Sequence, residues 1–129
     1  MALRLALDTN RYVDMCRGEV GVAEPLERAE SIYIPFVVMA ELGAGFAVGA
    51  RGPQNEQVFR RFLIKEGVQV LFPDEQTTHH YASVVRQLRT QGTPIPTNHI
   101  WIAALVLQHD LALYARDEHF DHLPQLVRV

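Results

Sequence analysis

Leu3-Arg4-Leu5-Ala6-Leu7-Asp8-Thr9-Asn10 is the stretch on which the fold is decided: an apolar run that ends on an acid and a turn. Residues 3–7 read as a strand, and Asp8 stands where that strand runs out. An aspartate in a strand-to-helix turn often only bonds the backbone ahead of it, so Asp8 alone proves little. Two more acids, Glu41 and Asp117, follow at helix and strand ends. Carboxylates this far apart in sequence cannot belong to one local loop. If they meet, they meet at the carboxyl edge of a parallel sheet, where open α/β folds place their chemistry, and the spacing suggests a metal site. His99 matters next. It begins an apolar helix in Ile95-Pro96-Thr97-Asn98-His99-Ile100-Trp101-Ile102-Ala103-Ala104, where a site for hard divalent cations would be expected to carry a fourth acid.

From the first strand outward the chain alternates short β runs with helical patterns, and no repeat, low-complexity tract or linker divides it. A helical turn is expected near Arg11 to Arg17, a second helix over Gly21 to Ala29, and a strand at Ser31 to Ile34. Pro35 separates that strand from a helix over Phe36 to Val48. Pro53 suits a first helical position, so the next helix is expected to run from there to Glu66, with Val58, Phe59, Phe62 and Leu63 as its buried stripe and Gly67 as its stop. Val68 to Leu71 reads as a strand. Asp74 is the N-cap expected of a helix reaching Gln91, with Tyr81, Val84, Val85 and Leu88 on its apolar face and Gly92 at its end. Pro94 and Pro96 hold the following loop extended, and the helix at Asn98 to His109 is apolar nearly all round, hence central and buried. Leu111 to Ala115 and Leu126 to Val129 complete the strands, and one α/β domain over residues 1–129 is implied.

Composition narrows the function. A chain of 129 residues, 48% hydrophobic and 21% charged, can bury one sizeable core without a staple. Cys16 is the single cysteine, which rules out an intrachain disulfide, and neither a signal-peptide core nor a bilayer-spanning apolar run is present, so a cytoplasmic protein with no membrane partner is expected. Twelve basic residues against 15 acidic ones give a net charge of -3, which argues against holding nucleic acid by bulk electrostatics alone. It leaves room for holding a phosphate through bound metal. Lys65 is the only lysine and lies in a mid-chain helix, so neither a phosphate-binding Gly-Lys-Ser/Thr loop nor a receiver-type phosphoacceptor site can be built. The residues after the first strand are Asp8-Thr9-Asn10 in place of glycines, which excludes a dinucleotide fold.

Glu41 interrupts Phe36-Val37-Val38-Met39-Ala40 and is followed by Leu42-Gly43-Ala44-Gly45, all apolar or small. A carboxylate buried there is costly unless paired or bound to metal, though a glutamate can instead reach a solvated edge. Gly43, Ala44, Gly45 and Ala47 suggest close packing inside the domain or across a dimer. Asp117 follows a strand, after Arg116 and before Glu118-His119-Phe120, and its ordinary role is a turn or N-cap. Phosphodiester hydrolysis with Mg²⁺ or Mn²⁺ needs several oxygen ligands converging from different elements, to neutralise the phosphate, acidify an attacking water and stabilise the leaving oxygen. Asp8, Glu41 and Asp117 are the residue types and element ends that this requires. Asn10 is a candidate for orienting water or phosphate beside Asp8, and Arg116 for approaching a phosphate, their ordinary roles being a turn and a salt bridge.

The order of these segments resembles the PIN-domain family, and more closely the bacterial VapC-type toxins, ribonucleases of type II toxin–antitoxin pairs. The resemblance spans the whole chain and rests on Leu5 to Asn10, Val38-Met39-Ala40-Glu41-Leu42, Ile95 to Ala104, and Ala115-Arg116-Asp117-Glu118-His119-Phe120. Each fragment is weakly specific, but four in order at family spacing are strong. The resemblance implies a three-layer α/β/α domain with a central, mainly parallel sheet. It also implies a metal-dependent endoribonuclease with Asp8, Glu41 and Asp117 as acidic site residues, an RNA substrate, a cognate antitoxin and a homodimer.

His99 departs from that pattern, which has an aspartate after the asparagine. An imidazole then occupies the place of a main metal ligand, and Mg²⁺ prefers oxygen, whereas Mn²⁺, Fe and Zn²⁺ accept nitrogen. Three outcomes stay open: activity retained with a softer metal, activity reduced, or a PIN scaffold that has lost cleavage and binds only RNA or antitoxin. A substitution introduced by engineering or cloning is a further origin for His99. A zinc-dependent hydrolase built on His99, His119 and His122 is the remaining alternative. His79 and His80 are expected at the surface, and His109 suits a helix C-terminus.

Overall fold

The computed structural model describes residues 2–129. Strand β1, Arg4–Leu7, leads into α1, Thr9–Cys16, and α2, Ala23–Arg28. β2, Ser31–Pro35, is followed by α3, Phe36–Val48, and α4, Gly52–Leu63. β3, Val68–Leu71, precedes α5, Glu75–Gln91, and α6, Thr97–His109. β4, Ala112–Tyr114, a 3-10 turn at Glu118–His122 and β5, Val127–Arg128, end the chain.

The five strands pair in the order β3-β2-β1-β4-β5, and every pairing is parallel. Side chains alternate between the faces of a strand, and Leu5, Ala6 and Leu7 are all fully buried, so helices cover the central strand on both sides. The α/β/α layering follows. The chain leaves β1 towards β2 and β3 on one side and returns to β4 and β5 on the other. The order therefore reverses between β1 and β4, and a crevice opens there outside the carboxyl ends of the strands.

Several helix ends have visible causes. Asp74 caps α5 reciprocally with Thr77: the Thr77 N–H donates to Asp74 Oδ1 at 3.1 Å and the Asp74 N–H to Thr77 Oγ1 at 2.9 Å. Gly92 closes α5 at φ 72, and its N–H returns to the carbonyls of Leu88 and Arg89. The α4 stripe is narrower than the sequence suggests. Phe59 and Phe62 are buried edge-on against Tyr12, with ring centroids 5.3 and 5.4 Å away, but Val58 is 42% exposed. α4 also stops at Leu63 rather than Glu66, and Gly67, at φ 81, turns the chain into β3. α6 is buried at Ile100 and from Ile102 to Val106, as an all-round apolar helix must be. Among the described residues no helix is long and apolar enough to cross a membrane.

Candidate active site

Asp8 is the first residue beyond β1 and occupies the N-cap position of α1 without making a side-chain cap bond. Its N–H donates to the carbonyl of Tyr114 at 3.1 Å, which pins it to the end of β4. The residue is 2% exposed. Burial pushes the carboxyl above its ordinary pKa, the Thr9 N–H and the neighbouring His99 act in the opposite sense, and the charges of Glu41 and Asp117 raise it further. Asp8 thus shares an electrostatic field with the other three residues that the sequence singled out.

Glu41 lies in the second turn of α3, not at a helix end, and it is exposed rather than buried. Its carboxylate Oε1 accepts from Thr9 Oγ1 at 3.0 Å, a bond that ties α3 to the first turn of α1. Of the two acids Asp8 is the buried one and Glu41 the exposed one.

Asp117 follows β4 and caps the 3-10 turn, its Oδ1 accepting from the His119 N–H at 2.9 Å. That bond folds the His119 ring back over the carboxylate, with Nδ1 3.0 Å from Oδ1. His99, in the first turn of α6, brings Nε2 to 3.7 Å from Asp117 Oδ2 and Nδ1 to 3.1 Å from His119 Nδ1. Its ring packs on Phe120 at a centroid distance of 4.7 Å. One ligand atom from each of His99, Asp117 and His119 lies within 4.8 Å of the others, the only such three-residue group among the described residues. His122 is exposed and outside it, so the alternative grouping of His99, His119 and His122 is corrected to one in which Asp117 replaces His122.

Asn10 sits half-buried in the first turn of α1. Arg116 is held by a partner: its Nε is 2.9 Å from Asp14 Oδ2, and half of its side chain stays in solvent. Arg11 approaches the same carboxylate at 3.5 Å and lies over the Tyr114 ring. The hydrogen bond and charge of Arg116, with the charges of Arg11 and Arg17, hold Asp14 below its ordinary pKa. His79 is exposed, and His109 ends α6 with its carbonyl accepting from Arg4 Nη1 at 3.2 Å.

The donor set suits a divalent cation. A buried carboxylate with two more carboxylates in its field is short of positive charge, and a bound cation supplies it. Thr9 is a site residue with no cue in the sequence, and the sequence brought in His119 only as a ligand of the zinc alternative. Thr9 gave no signal, because its partner is in another helix. For His119 the cue was an aspartate two residues earlier in a tight turn.

The model of the PIN domain family matches residues 5–126. The chain is 36% identical over 115 residues to ribonuclease VapC1 of Haemophilus influenzae strain R2866, spanning 84% of this chain and 80% of that protein. Among solved structures, VapBC-1 from nontypeable Haemophilus influenzae superposes with a TM-score of 0.85 at 26% identity, over 98% of this chain and 97% of that one. VapBC2 from Rickettsia felis, bound to a DNA fragment from its promoter, gives a TM-score of 0.85 at 22% identity, over 98% of each chain, which is a likeness of fold.

Proposed function

The chain belongs to the PIN domain family, and from that premise we propose that its crevice is the active site of a divalent-metal-dependent endoribonuclease, the toxin of a type II toxin–antitoxin pair. The observation that carries this reading is the placement of Asp8. It is a buried acid at the reversal point of a parallel sheet, with Glu41 and Asp117 in its field. The named ribonuclease at 36% identity supports the reaction, and the VapBC complexes support an antitoxin as partner.

Asp8, Glu41 and Asp117 would hold the cation, Mg²⁺ or Mn²⁺, with His99 in the place of a further acid. Such a cation supplies charge that acidifies an attacking water and offsets the charge building on the leaving oxygen. The protein's part is to hold its donors ready. The Tyr114 carbonyl fixes Asp8, the Thr9 hydroxyl aims Glu41, and the His119 N–H aims Asp117. Asn10 stands beside Asp8 to orient a water or a phosphate oxygen, and the solvent side of Arg116 is available to a neighbouring phosphate while Asp14 steadies its other edge. With a net charge of -3, selection among RNAs falls to the shape of the crevice and a few arginines.

The same reading places the protein in the cytoplasm, as a homodimer restrained by a cognate antitoxin. Gly43, Ala44, Gly45 and Ala47 are all exposed on α3, and Val48 is 87% exposed, which favours that helix as the dimer face. The test is to express the chain in a bacterial host and map the ends of the RNA fragments that appear. Hydrolysis by a metal-activated water leaves 5′-phosphate and 3′-hydroxyl ends, and Asp8→Asn should leave the RNA intact. Intact RNA with the wild-type chain, together with retained RNA binding, would instead fit the scaffold reading that His99 raises.

A further inference from the structure

We infer that His99, Asp117 and His119 form a transition-metal subsite of the Zn²⁺ class within this centre, with His119 as a ligand in its own right. This rests on the metal-dependent nuclease reading and adds to it which ion the chain binds most tightly. The argument is one of donor type and spacing. Two imidazoles and one carboxylate are the set found in catalytic zinc sites with one open position, whereas Mg²⁺ is held by oxygen. Ligands about 2.0 to 2.1 Å from a tetrahedral ion stand about 3.3 Å from one another. Here His99 Nδ1 and His119 Nδ1 are 3.1 Å apart and His119 Nδ1 and Asp117 Oδ1 are 3.0 Å apart, while on the third side the His99 ring approaches the carboxylate through Nε2, 3.7 Å from Oδ2, and one donor atom from each residue lies within 4.8 Å of the others.

Without metal, that spacing lets the two rings share one proton, one nitrogen donating and the other accepting. A cation can take the place of that proton between the two rings. Both rings are already held. Phe120 supports the face of His99, and the His119 N–H bond to Asp117 fixes the backbone that carries the second ring. His122 lies outside the cluster and serves as the control.

The experiment titrates the metal-free full-length protein with Co²⁺, whose visible absorption is strong in a four-coordinate N/O site, and then competes with Zn²⁺ or Mg²⁺. Wild type should develop the band, lose it to equimolar Zn²⁺ and keep it against about a hundredfold excess of Mg²⁺. His119→Gln and His99→Asp, checked for folding by circular dichroism, should bind Co²⁺ about tenfold or more weakly, and His122→Gln should match wild type. No band from folded wild-type protein, equal binding by His119→Gln, or loss of binding in His122→Gln would overturn the inference. RNA cleavage in Mg²⁺ and Mn²⁺ is followed in the same preparations. An absent band with Asp8-dependent cleavage sinks the subsite and leaves the nuclease reading standing, and a band without cleavage in any metal does the reverse.

Discussion

The N–H of Asp8 donates to the carbonyl of Tyr114 across 3.1 Å, so the residue just beyond β1 is held by the residue that ends β4. Those two strand ends flank the point where the sheet order reverses. One backbone bond thereby holds Asp8, buried, at that reversal point, while Glu41 stays exposed. The carboxylate there is buried at a cost to the metal-free fold, and the predictions begin from that cost.

Asp8→Asn should abolish cleavage and raise the stability of the metal-free protein. The folded-state pKa of Asp8 lies above its ordinary value of 3.8. Its ionisation therefore opposes folding as pH rises through the interval between the two values, and the penalty stays constant above it. Asparagine removes the penalty, by about 1 kcal/mol or roughly 4 °C in Tm near neutral pH. Thermal unfolding in chelator checks this. A variant that melts no higher than wild type would show that Asp8 is not strained in the empty site.

Thr9→Val should leave the fold intact and slow cleavage by about tenfold, because it frees Glu41 from the bond that aims it. Matched measurements of melting temperature and single-turnover rate separate the two effects. An unchanged rate would mean that Glu41 needs no help from Thr9.

Arg116→Gln should destabilise the protein only slightly at neutral pH, because half of the arginine is in solvent. Asp14 has its pKa lowered, first by the hydrogen bond from Arg116. Its contribution is present above the unfolded-state value and is lost as pH falls through the folded-state value. The gap between wild type and variant should therefore close in acid. Denaturant melts at neutral and acidic pH would contradict this if the gap stayed constant.

Sedimentation should find a dimer at tens of micromolar, a concentration on the order of ordinary homodimer affinities. Ala44→Arg, on the exposed small-residue side of α3, should yield a folded monomer. A wild-type monomer would dismiss α3 as a dimer face.

Much of this could be read from the chain. The helix Phe36–Val48 and the strand Val68–Leu71 have the bounds that their flanking Pro35 and Gly67 imply, and Asp74 caps α5 as its position suggests. The carboxyl-edge location of Asp8 and Asp117 followed from strand ends alone. The facing of Glu41 did not. α3 is apolar or small on nearly every side, so no stripe tells which side meets solvent, and Thr9, which holds Glu41, comes from a distant segment. Nothing in His119-Phe120-Asp121-His122 itself tells which histidine faces the site. The turn bond from Asp117 draws His119 inward and leaves His122 outside. For Arg116 the structure has the salt bridge that is its ordinary role, with a partner, Asp14 of α1, that the local sequence does not name.

The central claim is that a metal centre cuts RNA here with an imidazole where a carboxylate would serve Mg²⁺ better. It is tested most directly by the cleavage rate of a labelled RNA at matched Mg²⁺ and Mn²⁺, for wild type, His99→Asp, and His99→Asp combined with Asp8→Asn. Wild type should cut slowly in Mg²⁺ and faster in Mn²⁺, His99→Asp should gain at least about tenfold in Mg²⁺, and the double variant should be inactive. A His99→Asp rate in Mg²⁺ equal to or below that of wild type would contradict the account, making His99 a working residue of the site or the crevice something other than a metal-dependent nuclease.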